Sequence, residues 1–427
     1  MAEREMSADV AEAAEQTLAA EEGSAAPRGI KAKWRSLPGK KRRGIAAAII
    51  VPVALIVLYA LYNLAVLAAA AASTGKEDEI WLAWQRDHIA ALAASYESGE
   101  APVLDESSFC NFDLDAALDE GMKLNELRYL ATHNSYKQGV SRETGLFYDS
   151  AAFGAISGKY DYVFDDLTTQ LNNGIRSTEI DFFKNPTEDG FTIRILHNAM
   201  FEHASSMLDL ELALTEMKMW SDYNPGHLPV IVLVEPKTTG GQGLKPMDTE
   251  AHVYAGELLE KVLGDKLYTP EDMLGGYRDF AALRAANGYP EAEDVLGKFI
   301  FLLHRTGKDD DEEFFAIDPA LKKQKMFYIT SVPDKKADAA ERERMDDVAF
   351  LLANNLTDED LECMAEGNFI VRTRIDKFHD IDPDHLALAI ASSANIMSTD
   401  YPPTPSGRYD YTARINEAGK PIDRVVR

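Results

Sequence analysis

Cysteine is scarce in this chain, because only Cys110 and Cys363 occur among 427 residues. No cysteine spacing therefore suggests a zinc site, and a fold held together by several disulfides is excluded. In an oxidising location the two thiols could form one disulfide that closes a long loop, but a sequence cannot show that their Cβ atoms are adjacent. One disulfide and two buried free thiols are both compatible with the sequence.

Basic residues are also in short supply, with 44 lysines and arginines against 71 aspartates and glutamates and a net charge of −27. So acidic a chain repels the phosphate backbone of nucleic acid and does not adsorb by itself to an anionic lipid surface. Sequence repeats with a period of about 20–50 residues, which mark solenoids and propellers, are absent as well. We therefore expect no nucleic-acid partner and no repeat architecture.

Charge is missing altogether from residues 44–72. This stretch is apolar except for Asn63 and two tyrosines, and about 20 such residues are enough to span a bilayer as a helix. A cleaved secretory signal is the alternative, but its apolar region is usually only about 7–15 residues long. We therefore predict an uncleaved transmembrane anchor.

The charges in front of this stretch predict its orientation. Residues 28–43 carry eight basic groups and no acidic one, which keeps them in the cytoplasm by the positive-inside rule. The protein is thus expected to be a single-pass protein of the cell membrane, with a cytoplasmic N-terminus and an extracytoplasmic catalytic domain. The predicted segments are a disordered tail at 1–43, the anchor at 44–72, a helical linker at 73–107 and a catalytic domain at 108–427.

After about residue 110, short apolar runs alternate with helical stretches, which is typical of βα units around a parallel sheet. Eight strands are predicted, at residues 128–132, 177–182, 192–196, 230–234, 299–303, 326–329, 369–374 and 396–399. Helices are predicted between them, among others at residues 207–220, 251–263, 279–286, 338–354 and 384–391. This alternation predicts an α/β fold, a (β/α)8 TIM-type barrel, preceded by the N-terminal transmembrane helix.

Carboxylates stand in two of the predicted strands. Alternate side chains of a strand share a face, so Glu179 and Asp181 point the same way. Two buried carboxylates repel each other and lose hydration, and a cation between them relieves both costs. Glu235 and Lys237 repeat the spacing after the strand at 230–234, where the lysine could meet a phosphate oxygen. A simple ion pair between Glu235 and Lys237 is the structural alternative.

His133 and Asn134 follow the first predicted strand, and His197 follows the third. The C-terminal ends of parallel strands meet at one mouth of a barrel, so we expect these side chains beside the carboxylates. Carboxylate and amide oxygens suit a hard ion such as Ca²⁺ better than Zn²⁺ or copper, and two histidines next to it can transfer protons. The constellation predicts metal-assisted phosphodiester chemistry. The histidines without such partners in the sequence are interpreted as incidental: His203, His227, His304, His379 and His385.

Five short strings carry a resemblance to a known family. They are Ala131-Thr-His-Asn-Ser-Tyr136, Arg176-Ser-Thr-Glu-Ile-Asp181, Leu196-His-Asn198, Glu235-Pro-Lys237 and Ser398-Thr-Asp-Tyr-Pro402. Together they resemble the bacterial calcium-dependent phosphoinositide phospholipase C family, part of the phospholipase C-like phosphodiesterase superfamily. The likeness extends over about residues 108 to 412, and the order and spacing of the strings make it specific. The string Val371-Arg-Thr-Arg374-Ile-Asp376 is also similar to the family, but it leaves open which arginine points inward.

The resemblance implies a Ca²⁺ site and two catalytic histidines. The implied Ca²⁺ ligands are Asn134, Glu179, Asp181 and Glu235. His133 would stabilise charge on the phosphoryl oxygens, and His197 would protonate the departing diacylglycerol oxygen. Lys237 and Arg374 are the candidate substrate-binding residues. The implied nucleophile is the inositol 2-hydroxyl of the substrate, deprotonated by a nearby carboxylate, which gives a 1,2-cyclic phosphate.

Three functions are compatible with these residues. The first is a membrane-anchored calcium-dependent phospholipase C that acts on an inositol phospholipid. The second is a phosphodiesterase for glycerophosphodiesters or sphingolipids on the same barrel, although such enzymes usually have His-Arg-Gly where this chain has His133-Asn134-Ser135. The third is a non-catalytic surface binding module, which would need neither histidine. We favour the first, with the head group contacted by the glycine-rich loop at residues 238–245.

Overall fold

The computed structural model describes residues 37–151, 162–304, 308–333, 343–377, 380–403 and 410–425. Most of the predicted tail and His379 lie outside these residues. By its internal contacts the chain divides into two units, residues 1–65 and 66–427. Both cysteines are free thiols, Cys110 buried and Cys363 partly buried, so the disulfide that the sequence left open is not formed.

The first helix, α1, is Gly39–Ser98 and is 60 residues long. By length and composition alone it can cross a membrane, and none of its most apolar window is buried, although a signal sequence near an N-terminus meets the same criterion. The helix runs unbroken through Gly75, where a single glycine costs only about 1 kcal/mol of helix stability. The predicted anchor and most of the predicted linker therefore share one helix.

The strands in the described residues are β1 Leu127–Thr132, β2 Ser177–Thr187, β3 Gly190–Ile195, β4 Val230–Pro236, β5 Phe299–His304, β6 Phe327–Ser331, β7 Phe350–Leu352, β8 Ile370–Arg374, β9 Asp376–Lys377, β10 Asp380–Ile381, β11 Ile396–Thr399 and β12 Ile422–Arg424. Ten of them form one curled sheet in the order β12-β1-β11-β8-β7-β6-β5-β4-β2-β3, and β9 and β10 form a separate antiparallel pair.

Neighbouring strands from β1 through β11, β8, β7, β6, β5 and β4 to β2 are all parallel. Beyond them, β3 and β12 add antiparallel edges to β2 and β1. At the other side of β2, the N–H of Ser135, just after β1, donates to the Glu179 carbonyl at 2.8 Å. This mixed α/β architecture is consistent with a TIM-type barrel.

The helices after α1 cover the sheet. They are α2 Leu114–Asp119, α3 Arg142–Ser150, α4 Leu167–Asn172, α5 Leu210–Tyr223, α6 Thr249–Leu263, α7 Pro270–Leu274, α8 Phe280–Ala285, α9 Lys308–Phe315, α10 Asp358–Gly367 and α11 Pro383–Ala391. Aspartates begin several of them: the side chains of Asp166 and Asp209 accept backbone N–H groups of α4 and α5. The helices predicted at 207–220, 251–263, 279–286 and 384–391 are confirmed as α5, α6, α8 and α11.

Two sequence predictions are wrong. The third predicted strand is β3, which is antiparallel to β2, because only two residues separate the strands and a parallel crossover needs a dozen or more. The helix predicted at 338–354 is replaced, where the chain is described, by a short 3₁₀ helix, Arg344–Asp347, and by β7. The buried run of β7 is too short to show a period that separates a strand from a helix.

Both faces of the parallel sheet are buried. Along β4, Val230, Val232 and Val234 belong to the main hydrophobic cluster, while Ile231 and Leu233 belong to a second cluster. Ile180 of β2 lies in the main cluster, so its neighbours Glu179 and Asp181 face the other way. The pleat of β2 therefore turns two carboxylates away from the main core, at the C-terminal edge of the sheet.

Candidate active site

Three predicted carboxylates converge at this edge. Asp181 and Glu235 are directly opposite each other in the β2–β4 register, with Glu179 two residues before Asp181. One carboxylate oxygen from each of the three lies within 4.8 Å of the other two. Glu179 and Asp181 are buried and Glu235 is half-buried. Such a group is costly unless cations balance it.

Only one of the two carboxylate oxygens of the buried Asp181 has partners among the described residues. Its Oδ2 accepts a hydrogen bond from the Tyr136 hydroxyl at 2.7 Å and faces the Lys237 ammonium at 2.7 Å. Its Oδ1 is buried and has no hydrogen-bond partner among the described residues. Burial raises the pKa of Asp181 to about 7, against the Lys237 ammonium and with Glu235 and Glu179 adding to the rise. The position therefore favours a further positive charge.

The negative charge of Glu179 is balanced by Arg372, one of the two arginines between which the sequence could not choose. Arg372 of β8, which is 3% exposed, donates to the Glu179 carboxylate at 2.5 Å. Burial alone would raise the pKa of Glu179, but the Arg372 guanidinium and the neighbouring cationic groups bring it below its ordinary value. Arg372 and Arg374 both reach the mouth, because residues two apart share a face of a strand.

Asn134 supplies a neutral oxygen to the same place. Its φ of 53° is in the left-handed region, which asparagine tolerates better than most residues. Its side-chain amide donates to the Tyr162 hydroxyl at 2.6 Å, and its carbonyl oxygen accepts from the Tyr136 hydroxyl at 3.3 Å. Tyr136 also bonds Asp181, so it holds the amide oxygen and the carboxylate side by side. An amide oxygen and three carboxylates fit a hard, oxygen-liganded cation such as Ca²⁺.

His133 forms a pair with Asp400, which directly follows β11. Its Nδ1 lies 2.8 Å from the Asp400 carboxylate, and Arg374 lies 3.2 Å from its Nε2 and 2.8 Å from Asp400. An arginine only donates, so Nε2 is the acceptor and the imidazole hydrogen lies on Nδ1, toward Asp400. Asp400 in turn donates its backbone N–H to Asp376, whose pKa is raised to about 6 by burial and by the Asp400 charge.

His197 forms a second pair, with Glu202. Its Nδ1 lies 2.7 Å from the Glu202 carboxylate, which also accepts the Lys137 ammonium at 2.6 Å. Burial, and then the charges of Lys137 and Lys237, lower the pKa of His197 well below its ordinary value. In this geometry His197 is a neutral imidazole at neutral pH.

A cavity of about 610 Å³ opens beside His197 and Glu235. Its wall includes Lys237, the loop that follows it and His304 at the end of β5. Gly240 of this loop allows a close approach, since a Cβ there would lie 2.3 Å from the Leu244 carbonyl oxygen. The glycine-rich loop thus lines the mouth, and His304, which the sequence interpretation treated as incidental, lies there as well.

Sequence reasoning assigned no role to the partners of the two histidines. Asp400 had an available signal, because it stands at the end of a predicted strand and within one of the family-like strings. Glu202 and Lys137 had none, since they lie in irregular segments whose approach depends on the fold. Arg372 was seen only as one of two alternatives.

One family model matches the chain. The model of the family described as "Phosphoinositide phospholipase C, Ca2+-dependent" matches residues 122–192 and 187–422. No curated protein matches significantly.

Solved structures that the chain resembles include a calcium-dependent phosphoinositol-specific phospholipase C from a Pseudomonas species, at 17% identity and a TM-score of 0.49, covering 75% of this chain and 99% of that one. Another is a Ca²⁺-dependent phosphatidylinositol-specific phospholipase C from Streptomyces antibioticus, at 20% identity and a TM-score of 0.47, covering 65% and 95%. A putative glycerophosphodiester phosphodiesterase from Galdieria sulphuraria is 12% identical, with a TM-score of 0.36 and coverage of 64% and 94%.

The family model spans well over half of the chain and includes all the residues that converge at the mouth. The chain therefore belongs to the Ca²⁺-dependent phosphoinositide phospholipase C family and is a Ca²⁺-dependent phosphodiesterase.

Proposed function

We propose that this protein is a membrane-anchored, extracytoplasmic phospholipase C that cleaves the glycerol–phosphate bond of an inositol phospholipid. The observation that carries the proposal is the pairing of two histidines with buried carboxylates at the same edge of the sheet as the Glu179–Asp181–Glu235 group. We also propose that the curled sheet is a (β/α)8 barrel, with the contact between Ser135 and Glu179 joining its first and second strands.

Asn134, Glu179, Asp181 and Glu235 would hold the Ca²⁺ ion, and the unpartnered Asp181 Oδ1 supports that assignment. When bound, Ca²⁺ neutralises developing charge and lowers the pKa of a hydroxyl that it contacts. Lys237, which lies between Asp181 and Glu235 at 2.7 Å from each, supplies a positive charge to the phosphate. Arg374, which bonds Asp400, would supply a second positive charge.

The geometry supports a proton-accepting role for His133, in place of the charge stabilisation that the resemblance implied for this residue and in place of the nearby carboxylate that it implied as the base. Its Nε2 carries a lone pair, and Asp400 stabilises the imidazolium that forms when Nε2 takes a proton. The inositol 2-hydroxyl would give that proton to Nε2 while its oxygen forms the new bond to phosphorus. The bond from phosphorus to the glycerol oxygen then breaks, which gives a 1,2-cyclic phosphate.

His197 would protonate the departing glycerol oxygen, as the resemblance implied. Because its pKa is lowered, the His197 imidazole is mostly neutral before substrate binds and has no proton to donate to the glycerol oxygen. The anionic phosphodiester offsets the positive charges of Lys137 and Lys237, so His197 would take up a proton from solvent when substrate binds and would pass that proton to the departing glycerol oxygen. Glu202 holds the ring through Nδ1 and stabilises the charged form.

A panel of phosphodiesters tests the reaction. The full chain in detergent would be given phosphatidylinositol, phosphatidylcholine, sphingomyelin and glycerophosphoinositol, with calcium or with a calcium chelator. We expect diacylglycerol and a five-membered cyclic phosphate, visible by ³¹P NMR, from phosphatidylinositol alone and only with calcium. Cleavage of the choline lipids or of glycerophosphoinositol, without cleavage of phosphatidylinositol, would identify the alternative phosphodiesterase, and no turnover of any substrate would leave a binding module.

The anchor proposal rests on the uncharged run at residues 44–72 and the basic residues before it. If it is right, residues after about 75 are accessible to protease on intact cells and the mature chain keeps its N-terminal tail. Recovery of a soluble protein that begins near residue 73 would show a cleaved signal instead.

A further inference from the structure

A second group of metal-binding side chains lies where α1 contacts α4 and α5. It consists of His88 of α1, Asp166 at the start of α4 and Glu216 of α5, and we call it the lateral cluster. One donor atom from each lies within 4.8 Å of the other two. Glu216 is 1% exposed, and the other two are partly buried. Among the described residues, the hydrogen bonds and ion pairs of these three side chains are with one another and with Thr168 and Thr169, not with the groups at the mouth.

The distances in the lateral cluster are long for an ion pair. His88 faces both carboxylates with the same nitrogen, Nε2, which lies 3.3 Å from Glu216 and 3.6 Å from Asp166. Hydrogen bonds from a charged donor to a carboxylate are normally about 2.7–2.9 Å long, and one nitrogen has a single hydrogen to give. His203, in the same interface, shows the usual arrangement, with Nδ1 at 2.8 Å from Asp78 and Nε2 at 2.9 Å from a carbonyl oxygen.

The same distances suit a metal ion. A zinc ion binds histidine nitrogen and carboxylate oxygen at about 2.0–2.2 Å with tetrahedral geometry, which separates two ligand atoms by roughly 3.3–3.6 Å. The two measured separations, 3.3 and 3.6 Å, are within that range. One histidine nitrogen and two carboxylate oxygens are also a donor set that first-row transition metals accept, unlike the all-oxygen set at the mouth.

The carboxylates are held in place by their own partners. Glu216 Oε1 accepts the backbone N–H of Thr168 at 3.0 Å and its hydroxyl at 2.8 Å. Asp166 accepts the backbone N–H of Thr169 at 2.9 Å and its hydroxyl at 2.8 Å. Hydrogen bonds of this kind orient ligands around a metal.

One atom of the lateral cluster is left over. Glu216 Oε2 is buried and has no hydrogen-bond partner among the described residues. The oxygen that faces His88 is the other one, Oε1. A buried carboxylate with one oxygen unbonded is costly in a protein interior, and a cation bound at Oε1 would offset that cost.

We propose that His88, Asp166 and Glu216 bind one divalent transition-metal ion, with Zn²⁺ the best fit, and that this ion fastens the second half of α1 to the catalytic domain. Two carboxylates and a neutral imidazole together balance the charge of a divalent ion, and water takes the fourth position. Gln85, three residues before His88, already bonds the backbone of Asp209 in both directions at 2.9 and 3.1 Å, so the ion would reinforce an existing contact.

The test is metal binding by the full chain in detergent, stripped of metal and then kept in saturating calcium so that the mouth is filled. We expect zinc titration to show one site per chain and a rise in the thermal midpoint, and Co²⁺ to give the visible absorption of a tetrahedral site. His88→Ala and Asp166→Asn should each weaken zinc binding by at least about tenfold and abolish the rise. Asp78→Asn is the matched control, because it removes a neighbouring α1 contact but should leave zinc binding unchanged.

The proposal is wrong if zinc binds equally well to the wild type and to His88→Ala, or if Asp181→Asn alone removes the zinc site. It is also wrong if the wild type shows no zinc-dependent rise although His88→Ala lowers the thermal midpoint, since the cluster is then an ion pair only. If His88→Ala does not fold, Asp166→Asn, at a side chain that is 24% exposed, supplies the same comparison.

Discussion

The two histidine–carboxylate pairs at the mouth follow one plan on different supports. His133 and Asp400, which we call the strand pair, follow β1 and β11, which are parallel neighbours with Thr132 opposite Thr399. His197 and Glu202, the loop pair, both lie between β3 and α5. The register of the sheet places the two residues of the strand pair side by side, and Arg374 bonds both of them. The loop pair depends on a buried ion pair instead, with Lys137 1% exposed and Glu202 3% exposed.

The two pairs also differ in which member the neighbouring cation bonds, the histidine or the carboxylate. Arg374 of the strand pair touches the imidazole Nε2 itself and is 16% exposed. Lys137 of the loop pair bonds the Glu202 carboxylate, and together with burial its charge lowers the pKa of His197. In the strand pair, Nε2 of His133 is therefore a hydrogen-bond acceptor before substrate binds, whereas in the loop pair the pKa of His197 is lowered and His197 must gain a proton when the anionic substrate binds.

The largest expected effect separates the two histidines by their roles. General acid–base catalysis is typically worth about 10²–10⁴-fold, and a donor matters little when the leaving group is already good. His197→Ala should therefore lose about 10²–10⁴-fold on a lipid substrate but much less on an aryl phosphodiester that releases a phenolate. His133→Ala should lose a similar factor on both. Equal losses on both substrates for both variants would refute the division of roles, provided that Ca²⁺ binding and thermal unfolding are unchanged.

Two of the carboxylates proposed to bind Ca²⁺ can be compared in the same way, because Glu179 is paired with Arg372 and Asp181 with Lys237. Glu179→Gln and Asp181→Asn should each weaken Ca²⁺ binding by at least about tenfold, since each removes a charge from an oxygen-ligand site. Stability without calcium should separate them. Glu179→Gln leaves the buried Arg372 charge uncompensated and should cost about 3 kcal/mol, whereas Asp181→Asn removes a charge that burial already disfavours.

Calorimetric Ca²⁺ titration and thermal unfolding with chelator would check both parts. Unchanged Ca²⁺ affinity in both variants would refute the ligand assignment. Equal stability of the two variants would contradict the pairing of Glu179 with Arg372 while leaving the ligand assignment intact.

A third prediction concerns the contribution of the two paired carboxylates, Glu202 and Asp400, to stability. Glu202→Gln removes the carboxylate that the buried Lys137 bonds and should lower the free energy of unfolding by about 3 kcal/mol. Asp400→Asn should cost less, because Arg374 is partly exposed and also reaches Asp376, whose repulsion with Asp400 disappears. Denaturant unfolding measures both. A larger loss for Asp400→Asn would show that the ion pair of Asp400 with Arg374 contributes more to stability than that of Glu202 with Lys137.

The same contrast explains which parts of the site could be predicted from the sequence. His133, Glu179, Asp181 and Glu235 stand at strand ends, where period-two alternation and the shared edge of parallel strands fix their direction. The eight parallel strands include seven of the predicted ones. The antiparallel β3 was mistaken for a barrel strand because the residues of a strand do not show whether its partner runs parallel or antiparallel.

The partners of the loop pair were out of reach for a different reason. Glu202 and Lys137 are 65 positions apart in irregular segments, and they meet only because β2 and its neighbours bring those segments together. His203 and His304 were interpreted as incidental on the same grounds. No local pattern could show that His203 contacts α1 or that His304 ends at the mouth, since both contacts are long-range.

The smallest expected effect concerns His203, which joins the segment of the loop pair to α1. Both of its ring nitrogens face acceptors, Asp78 and the Ala199 carbonyl, and although burial lowers its pKa these partners raise it above the ordinary value. A pKa that is higher in the folded than in the unfolded protein gives stability that is fully present below about pH 6.5 and is lost as the pH rises through the folded-state pKa. The thermal midpoint should therefore fall by about 1–2 °C more in the wild type than in Asp78→Asn between pH 6 and pH 9. Because Asp78→Asn removes the main source of the raised pKa, the difference between the two curves isolates this contact from every other titrating group, and parallel curves would show that His203 is neutral and that its contact with α1 does not depend on charge.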